Sequence, residues 1–177
     1  MSIRSFNNIT PTIGKNVYID EQSAVIGDVV IGSESSIWPF TSVRGDVNKV
    51  RIGERCNIQD NSTIHVSHDS EHQPGGVPTI IGDDVTVGHQ VILHACTIGN
   101  LCLIGMGSLI MDKVVIGDET IVGAGSLVTQ GKELEGGYLY IGRPAKRVRA
   151  LSQEEKDYLS YSAQHYVRLK NKYLLKQ

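Results

Sequence analysis

Aliphatic residues recur at every sixth position along most of the chain. The residues in this position are Ile13, Ile19, Val25, Ile31, Ile37, Val43, Ile52, Ile58, Ile64, Ile81, Val87, Leu93, Ile98, Ile104, Ile110, Ile116, Val122 and Val128, with three breaks in register. Small or β-branched residues follow four positions later, as at Ser35, Cys56 and Ser108. A sandwich strand would show a period of two, whereas a sustained period of six is typical of a parallel β-helix.

The hexads group in threes, and each group begins with the same dipeptide. These dipeptides are Ile13-Gly14, Ile31-Gly32, Ile52-Gly53, Ile81-Gly82, Ile98-Gly99 and Ile116-Gly117. The pattern resembles the left-handed hexapeptide β-helix family, whose triangular coils contain three hexads each. We therefore predict an all-β solenoid, a left-handed parallel β-helix of about six triangular coils, over residues 13–135, with residues 66–79 as an inserted loop.

The two ends of the chain depart from the repeat. Residues 1–12 are expected to cap the N-terminal end, because an open coil edge would pair with other strands. Residues 136–151 are expected to form an exit segment. Ser152 and Glu155 have the spacing of a capping box, so we predict a C-terminal α-helix over residues 152–175, packed along the solenoid by its apolar side.

Composition agrees with this fold and narrows the class of protein. The chain has 177 residues, of which 19 are Gly and 6% are aromatic, and its net charge is −2. No apolar run reaches the ~18 residues of a transmembrane helix and the start lacks a signal sequence, so we expect a soluble cytoplasmic protein without a membrane partner. Residues 143–177 carry nine Lys or Arg against three Asp or Glu, but no nucleic-acid motif accompanies them, and no such partner is expected.

Three histidines occupy positions on the repeat that suit a metal ion. His65 and His94 each hold position two of a hexad, one coil apart, so their side chains should stack about 4.8 Å apart at one corner. His89 belongs to the preceding face and should point elsewhere, so a neighbouring chain would have to supply it. Three chains around a threefold axis would then hold three His₃ sites, each with a fourth position open for water. Isolated surface histidines that bind no metal are the alternative.

The segments around these histidines resemble the γ-class carbonic anhydrases. The matching segments are Arg44-Gly45-Asp46, Asn57-Ile58-Gln59-Asp60, His65 and Gly88-His89-Gln90-Val91-Ile92-Leu93-His94. The resemblance implies a homotrimer with the metal between subunits. It also implies a hydratase that interconverts CO₂ and bicarbonate through a metal-bound hydroxide.

The resemblance also implies roles for individual residues. His65, His89 and His94 would bind Zn²⁺, or Fe²⁺ or Co²⁺, and zinc would lower the pKa of bound water to about 7. The other implied roles are orientation of the hydroxide by Gln59, an intersubunit ion pair formed by Arg44 and Asp46, orientation of a ligand by Asp60, and a hydroxyl near the metal from Tyr161.

The chain departs from the best-characterised members of that class at two places. Val47 stands where they have glutamate directly after Arg-Gly-Asp, and His68 stands where they have an acidic proton-shuttle loop. Two interpretations of this loop are open: a proton relay through His68 or His72, and a solvated loop without a role in the reaction. Two other functions are also open: a zinc-binding trimer without catalysis, and a hexapeptide acyltransferase that uses a single catalytic His without metal.

Overall fold

The computed structural model describes residues 2–175 as twenty strands followed by one helix. The first ten strands are β1 (Ile3–Arg4), β2 (Thr12–Ile13), β3 (Tyr18–Ile19), β4 (Ala24–Ile31), β5 (Ser36–Ile37), β6 (Ser42–Ile52), β7 (Asn57–Ile58), β8 (Thr63–His65), β9 (Thr79–Ile81) and β10 (Thr86–Val87). The next ten are β11 (Ile92–His94), β12 (Thr97–Ile98), β13 (Leu103–Ile104), β14 (Leu109–Ile110), β15 (Val115–Ile116), β16 (Ile121–Val122), β17 (Leu127–Val128), β18 (Glu133–Leu134), β19 (Tyr138–Gly142) and β20 (Ala145–Ala150). Helix α1 is Gln153–Leu174.

The strands form the three faces of a β-solenoid, and the predicted fold class is confirmed. One face is an eight-stranded sheet in the order β20-β19-β16-β13-β10-β7-β5-β3. The other two faces belong to one twelve-stranded sheet, because β4 and β6 are long enough to continue around the corner between them. Apart from β20, which pairs antiparallel with β19, the strands pair in parallel with those of the neighbouring coils.

The aliphatic residues of the hexads fill the interior. Of the eighteen predicted positions, all but Ile13 and Ile19 in the first coil are buried. Complete burial of an Ile or Val side chain contributes roughly 1.5–3 kcal/mol relative to exposure. The coils stack directly on one another, so the same residue type recurs at the same position of each coil. The packing of these side chains sets the register of every strand.

The corners of the solenoid require backbone conformations that most side chains avoid. At one corner, positive φ angles recur level after level, at Asn16, Glu34, Arg55, Asp84, Leu101 and Glu119. A residue other than glycine in this region costs on the order of 1–3 kcal/mol, so the interior stack and the strand ladders must hold each turn in place. At another corner Gly27 is required, since its φ is 79° and a Cβ there would lie 2.3 Å from the Gly45 carbonyl oxygen.

The stack is taller than the six coils predicted. Seven strands of the eight-stranded face run parallel, since β20 is antiparallel. Leu134 extends one column of buried side chains, and Tyr140, in the predicted exit segment of residues 136–151, extends another. The aliphatic pattern misses Tyr140 because an aromatic ring takes the place of Ile or Val. Within residues 136–151, Tyr138–Gly142 and Ala145–Ala150 form the hairpin β19–β20.

Helix α1 lies along the eight-stranded face and is capped as predicted. The Ser152 side chain accepts a hydrogen bond from the Glu155 backbone N–H, and the Glu155 carboxylate accepts one from the Ser152 N–H. Trp38 packs against both Tyr166 and Tyr173 of the helix, with ring centroids 5.7 and 5.2 Å apart. Within the described residues, no helix has the length and apolar character needed to cross a membrane.

Two lysines attach the helix to the corner that carries the positive φ angles. Lys156 Nζ donates to Glu119 near the start of the helix. Near its end, Lys170 Nζ donates to Glu34 Oε2 at 2.6 Å, and the Lys170 side chain is fully buried. The helix is therefore held at both ends by carboxylates that the corner turns present.

Replacement of Lys170 by methionine should destabilise the protein by about 3 kcal/mol. Breaking a buried ion pair costs about 3–5 kcal/mol, and the low end applies because Glu34 is partly exposed. Thermal or denaturant unfolding measures the change, with exposed Lys172→Met as the matched control. Equal stability of K170M and K172M would show that the ion pair does not hold the helix.

The contribution of this pair should also depend on pH. The hydrogen bonds from Lys170 and Asn16 lower the pKa of Glu34 below its usual 4.5. A carboxyl whose pKa is lower in the folded state contributes stability above the unfolded pKa and loses it as pH falls through the folded pKa. The difference in unfolding free energy between wild type and K170M should therefore be constant above about pH 5.5 and shrink below pH 4.5. A difference that stays constant down to pH 3 would contradict this.

Candidate metal centre

His65 and His94 lie side by side on neighbouring coils, as the phase of the repeat predicts. They end strands β8 and β11 and are paired with each other in the parallel ladder. Their ring centroids are 5.2 Å apart, and His65 Nδ1 faces His94 Nε2 at 3.3 Å. The 29 residues between them in sequence do not separate them in space, because residues 66–78 leave the stack as a loop and return.

A carboxylate contacts the outward ring nitrogen of each histidine in this pair. Asp46 Oδ1 lies 3.1 Å from His65 Nε2, and Asp112 Oδ1 lies 2.6 Å from His94 Nδ1. The four side chains form a line across successive coils. Carboxylates in this position fix the orientation and tautomer of metal-binding histidines.

The facing nitrogens fit a tetrahedral metal ion. Zinc binds histidine nitrogen at about 2.0–2.1 Å, so two nitrogens on one tetrahedral ion are separated by about 3.3–3.4 Å. The 3.3 Å between His65 Nδ1 and His94 Nε2 matches that separation. Within residues 2–175 of a single chain, no three His, Cys, Asp or Glu side chains form a metal-binding group.

Arg44 and Asp46 pair with each other within one chain, beside His65. Burial alone would raise the pKa of Asp46, but hydrogen bonds from Arg44 and His65 outweigh it and hold that pKa below its usual value. Burial lowers the pKa of His65, and its contact with Asp46 opposes this only in part. His65 is therefore neutral near pH 7, the form that binds metals. The predicted ion pair of Arg44 and Asp46 across a subunit boundary stays a prediction.

His89 lies in the turn between β10, on the preceding eight-stranded face, and β11, at the edge of the β11 face opposite His94. It follows β10 and precedes β11, whereas His94 ends β11. Within residues 2–175 of one chain, His89 forms no metal-binding group with His65 and His94. Asp60 Oδ2 contacts His89 Nδ1 at 3.0 Å, from the coil below. Each of the three histidines thus has a carboxylate of its own.

Gln59 lies in a cleft with His89, between the eight-stranded face and helix α1. The cleft has a volume of about 400 Å³. Gln59 Nε2 donates to Asn57 Oδ1 at 2.9 Å, Asn57 Nδ2 donates to Thr86 Oγ1 at 3.0 Å, and Thr86 shares a hydrogen bond with Ser162 of the helix. This buried chain fixes the amide so that its oxygen, a hydrogen-bond acceptor, is left for a ligand.

Tyr161 does not line the cleft beside His89. Tyr158 and Tyr166 are the helix tyrosines that do, while Tyr161 is exposed in an adjacent groove with Tyr158. The side chain of Arg168 lies over the Tyr161 ring. The sequence does not show which side of the helix faces the sheet, so it could not distinguish Tyr161 from the two tyrosines that line the cleft. A metal-directed role for Tyr161 stays a prediction.

The inserted loop is a small hairpin attached to the strand that carries Asp46. Ser67 bridges Val77 within it, and Asn48 Nδ2 donates to the backbone oxygens of Ser67 and Gly75. His72 is exposed and contacts Glu71 of the same loop. A proton relay through His68 or His72 stays a prediction.

Sequence reasoning missed the carboxylate on His94. Asp112 comes 18 residues after His94, the usual length of one coil, so a search of the next coil for acidic residues would have found it. Thr86 and Ser162 were also missed, because their contact joins residues 76 positions apart.

Comparisons with known proteins place these residues in a family. The model of bacterial transferase hexapeptide repeats matches residues 10–45 and 95–130. Protein YrdA of Escherichia coli is 57% identical over 97% of this chain and 94% of its own length. The carbonic anhydrase of Geobacillus kaustophilus is 44% identical over 86% of this chain and 80% of its own length.

The chain belongs to the γ-carbonic anhydrase-like family of hexapeptide-repeat proteins. A crystal structure described as a putative acetyltransferase of Bacillus cereus is also similar, with 43% identity, 99% of this chain and 98% of that chain covered, and a TM-score of 0.92. The same architecture therefore carries two kinds of functional description. For this chain, the features that bear on the choice between a carbonic anhydrase and an acetyltransferase are the paired histidines and their carboxylates.

Proposed function

We propose that the protein is a zinc-dependent hydratase that interconverts CO₂ and bicarbonate at three sites between the subunits of a homotrimer. The observation that carries the proposal is the 3.3 Å separation of His65 Nδ1 and His94 Nε2, with a carboxylate on the other nitrogen of each ring. An acyltransferase that uses one histidine as a base has no need of two histidines stacked in this way. The 44% identity to a carbonic anhydrase adds to this support.

The position of the histidines on the solenoid supports a threefold assembly. One face of each chain carries His89 at one edge and the pair His65 and His94 at the other. When three such faces surround one axis, the His89 edge of each chain meets the paired edge of the next. Large exposed apolar side chains flank His89, since Phe40 is 61% and Met106 is 59% exposed, and contact with a second copy would cover them.

The residues of this chain have separate tasks in the proposed reaction. His65, His94 and the next subunit's His89 would hold Zn²⁺, with Fe²⁺ or Co²⁺ as alternatives, and the bound ion would supply a nucleophile at neutral pH by lowering the pKa of water. Gln59, held by Asn57, would accept a hydrogen bond from that nucleophile and orient it. Arg44 keeps Asp46 ionised beside His65.

Mixing two inactive variants tests the shared site. H89A and H94A should each assemble without intact sites, whereas a mixed trimer joins the His65 and His94 of one chain to the His89 of another. Co-expression should restore about a quarter of the wild-type metal content, because about three quarters of randomly assembled trimers contain both variants and each of these has one intact site of three. Native mass spectrometry measures metal and mass together.

The matched control for mixing pairs H94A with H65A, two variants that damage the same half of the site. This pair should recover no metal. Restoration by both pairs, or by neither while wild type holds one metal per chain, would contradict a site that is shared between subunits.

Catalysis has its own test in stopped-flow CO₂ hydration by zinc- or cobalt-loaded protein. H94A should abolish turnover, and Gln59→Ala should lower kcat by about 10²-fold at unchanged metal content, since it loosens the orientation of the nucleophile. Gln164→Ala, an exposed glutamine on the helix, is the control.

The outcomes separate the competing functions. Stoichiometric metal without turnover of CO₂ would identify a non-catalytic zinc-binding trimer. Metal-free wild-type protein that transfers acyl groups from acyl-CoA, and loses this with one histidine, would identify an acyltransferase.

A further inference from the structure

Asp112 differs from Asp46, the carboxylate beside His65, in having a single side-chain partner. Asp46 divides its hydrogen bonds between Arg44 and His65. Among the side chains of residues 2–175, the hydrogen-bond partner of Asp112 is His94 alone. At 2.6 Å, this is the shortest contact that any of the three histidines makes with a carboxylate.

The position of Asp112 is set by the solenoid and not by the contact with His94. It follows β14, which pairs with β11 in the ladder. Its backbone oxygen accepts a hydrogen bond from Gly131 N–H of the next coil, and the neighbouring Lys113 N–H donates to Ala95 O of the coil below. The backbone that carries this carboxylate is therefore held by both neighbouring coils in the metal-free chain.

A carboxylate in this place determines which ring nitrogen of His94 carries the proton. An ionised carboxylate only accepts hydrogen bonds, so Nδ1 must donate. The lone pair of the neutral ring is then on Nε2, the nitrogen that faces His65. Without this partner, His94 would favour the Nε2–H tautomer that free histidine prefers in water, and that tautomer directs a proton into the position of the metal.

We propose that Asp112 is a positioning residue that holds His94 in the Nδ1–H tautomer and so prepares the half-site for a metal ion. The expected effect on metal affinity rests on the proposed metal site. The tautomer of His94, in contrast, is a property of the metal-free chain. Partners of this kind are worth about 10–100-fold in metal affinity.

Two measurements on Asp112→Ala test the proposal. Chelator competition should show zinc affinity reduced by about 10–100-fold, and ¹⁵N NMR of the metal-free protein should show His94 changed from the Nδ1–H to the Nε2–H tautomer. Asp112→Asn, which retains an accepting oxygen without the charge, should lose less affinity and keep the wild-type tautomer.

Asp118→Ala is the matched control, because Asp118 lies on the same coil and its carboxylate accepts from Asn100. D118A should leave both the zinc affinity and the His94 tautomer unchanged, even if it lowers the unfolding temperature. Wild-type affinity in D112A, or an unchanged tautomer, would overturn the proposal. If wild type binds no zinc, the proposed function fails, while the tautomer still decides the role of Asp112.

Discussion

The packing of one aliphatic side chain on the next inside the solenoid is the constraint on which the rest of the molecule depends. Val43, Ile64, Leu93 and Ile110 are in one such column, and each is completely buried. Because strands in this stack are about 4.8 Å apart, a side chain just beyond the column meets its counterpart on the next coil at contact distance. His65 and His94, each one position beyond the column, lie side by side outside the stack for that reason.

The same stack keeps His89 apart from the pair of His65 and His94. A flat face cannot direct its two edges toward one point, so His89 and the His65–His94 pair lie apart in every chain. In the proposed trimer, the His89 edge of one chain would meet the paired edge of the next without any change within the chains.

The period of six was sufficient to predict the fold class, the interior residues and the pairing of His65 with His94, because each follows from register alone. It failed where another residue type continues the same position, as Tyr140 does in the last coil. The period of six also could not predict contacts between elements that are distant in sequence. The hydrogen bond between Thr86 and Ser162 and the burial of Lys170 against Glu34 depend on where the helix lies on the sheet, which no local pattern records.

The inserted loop has a further consequence for how sites of this kind change over time. Residues 66–78 leave the stack directly after His65, yet His65 and His94 are still paired in the ladder. Lengthening such a loop costs little, since its closure entropy grows only with the logarithm of its length. A corner turn can therefore gain or lose residues without moving the histidines. The loop can diversify while the two histidines stay paired, and the number of residues between such histidines says little about how closely two proteins are related.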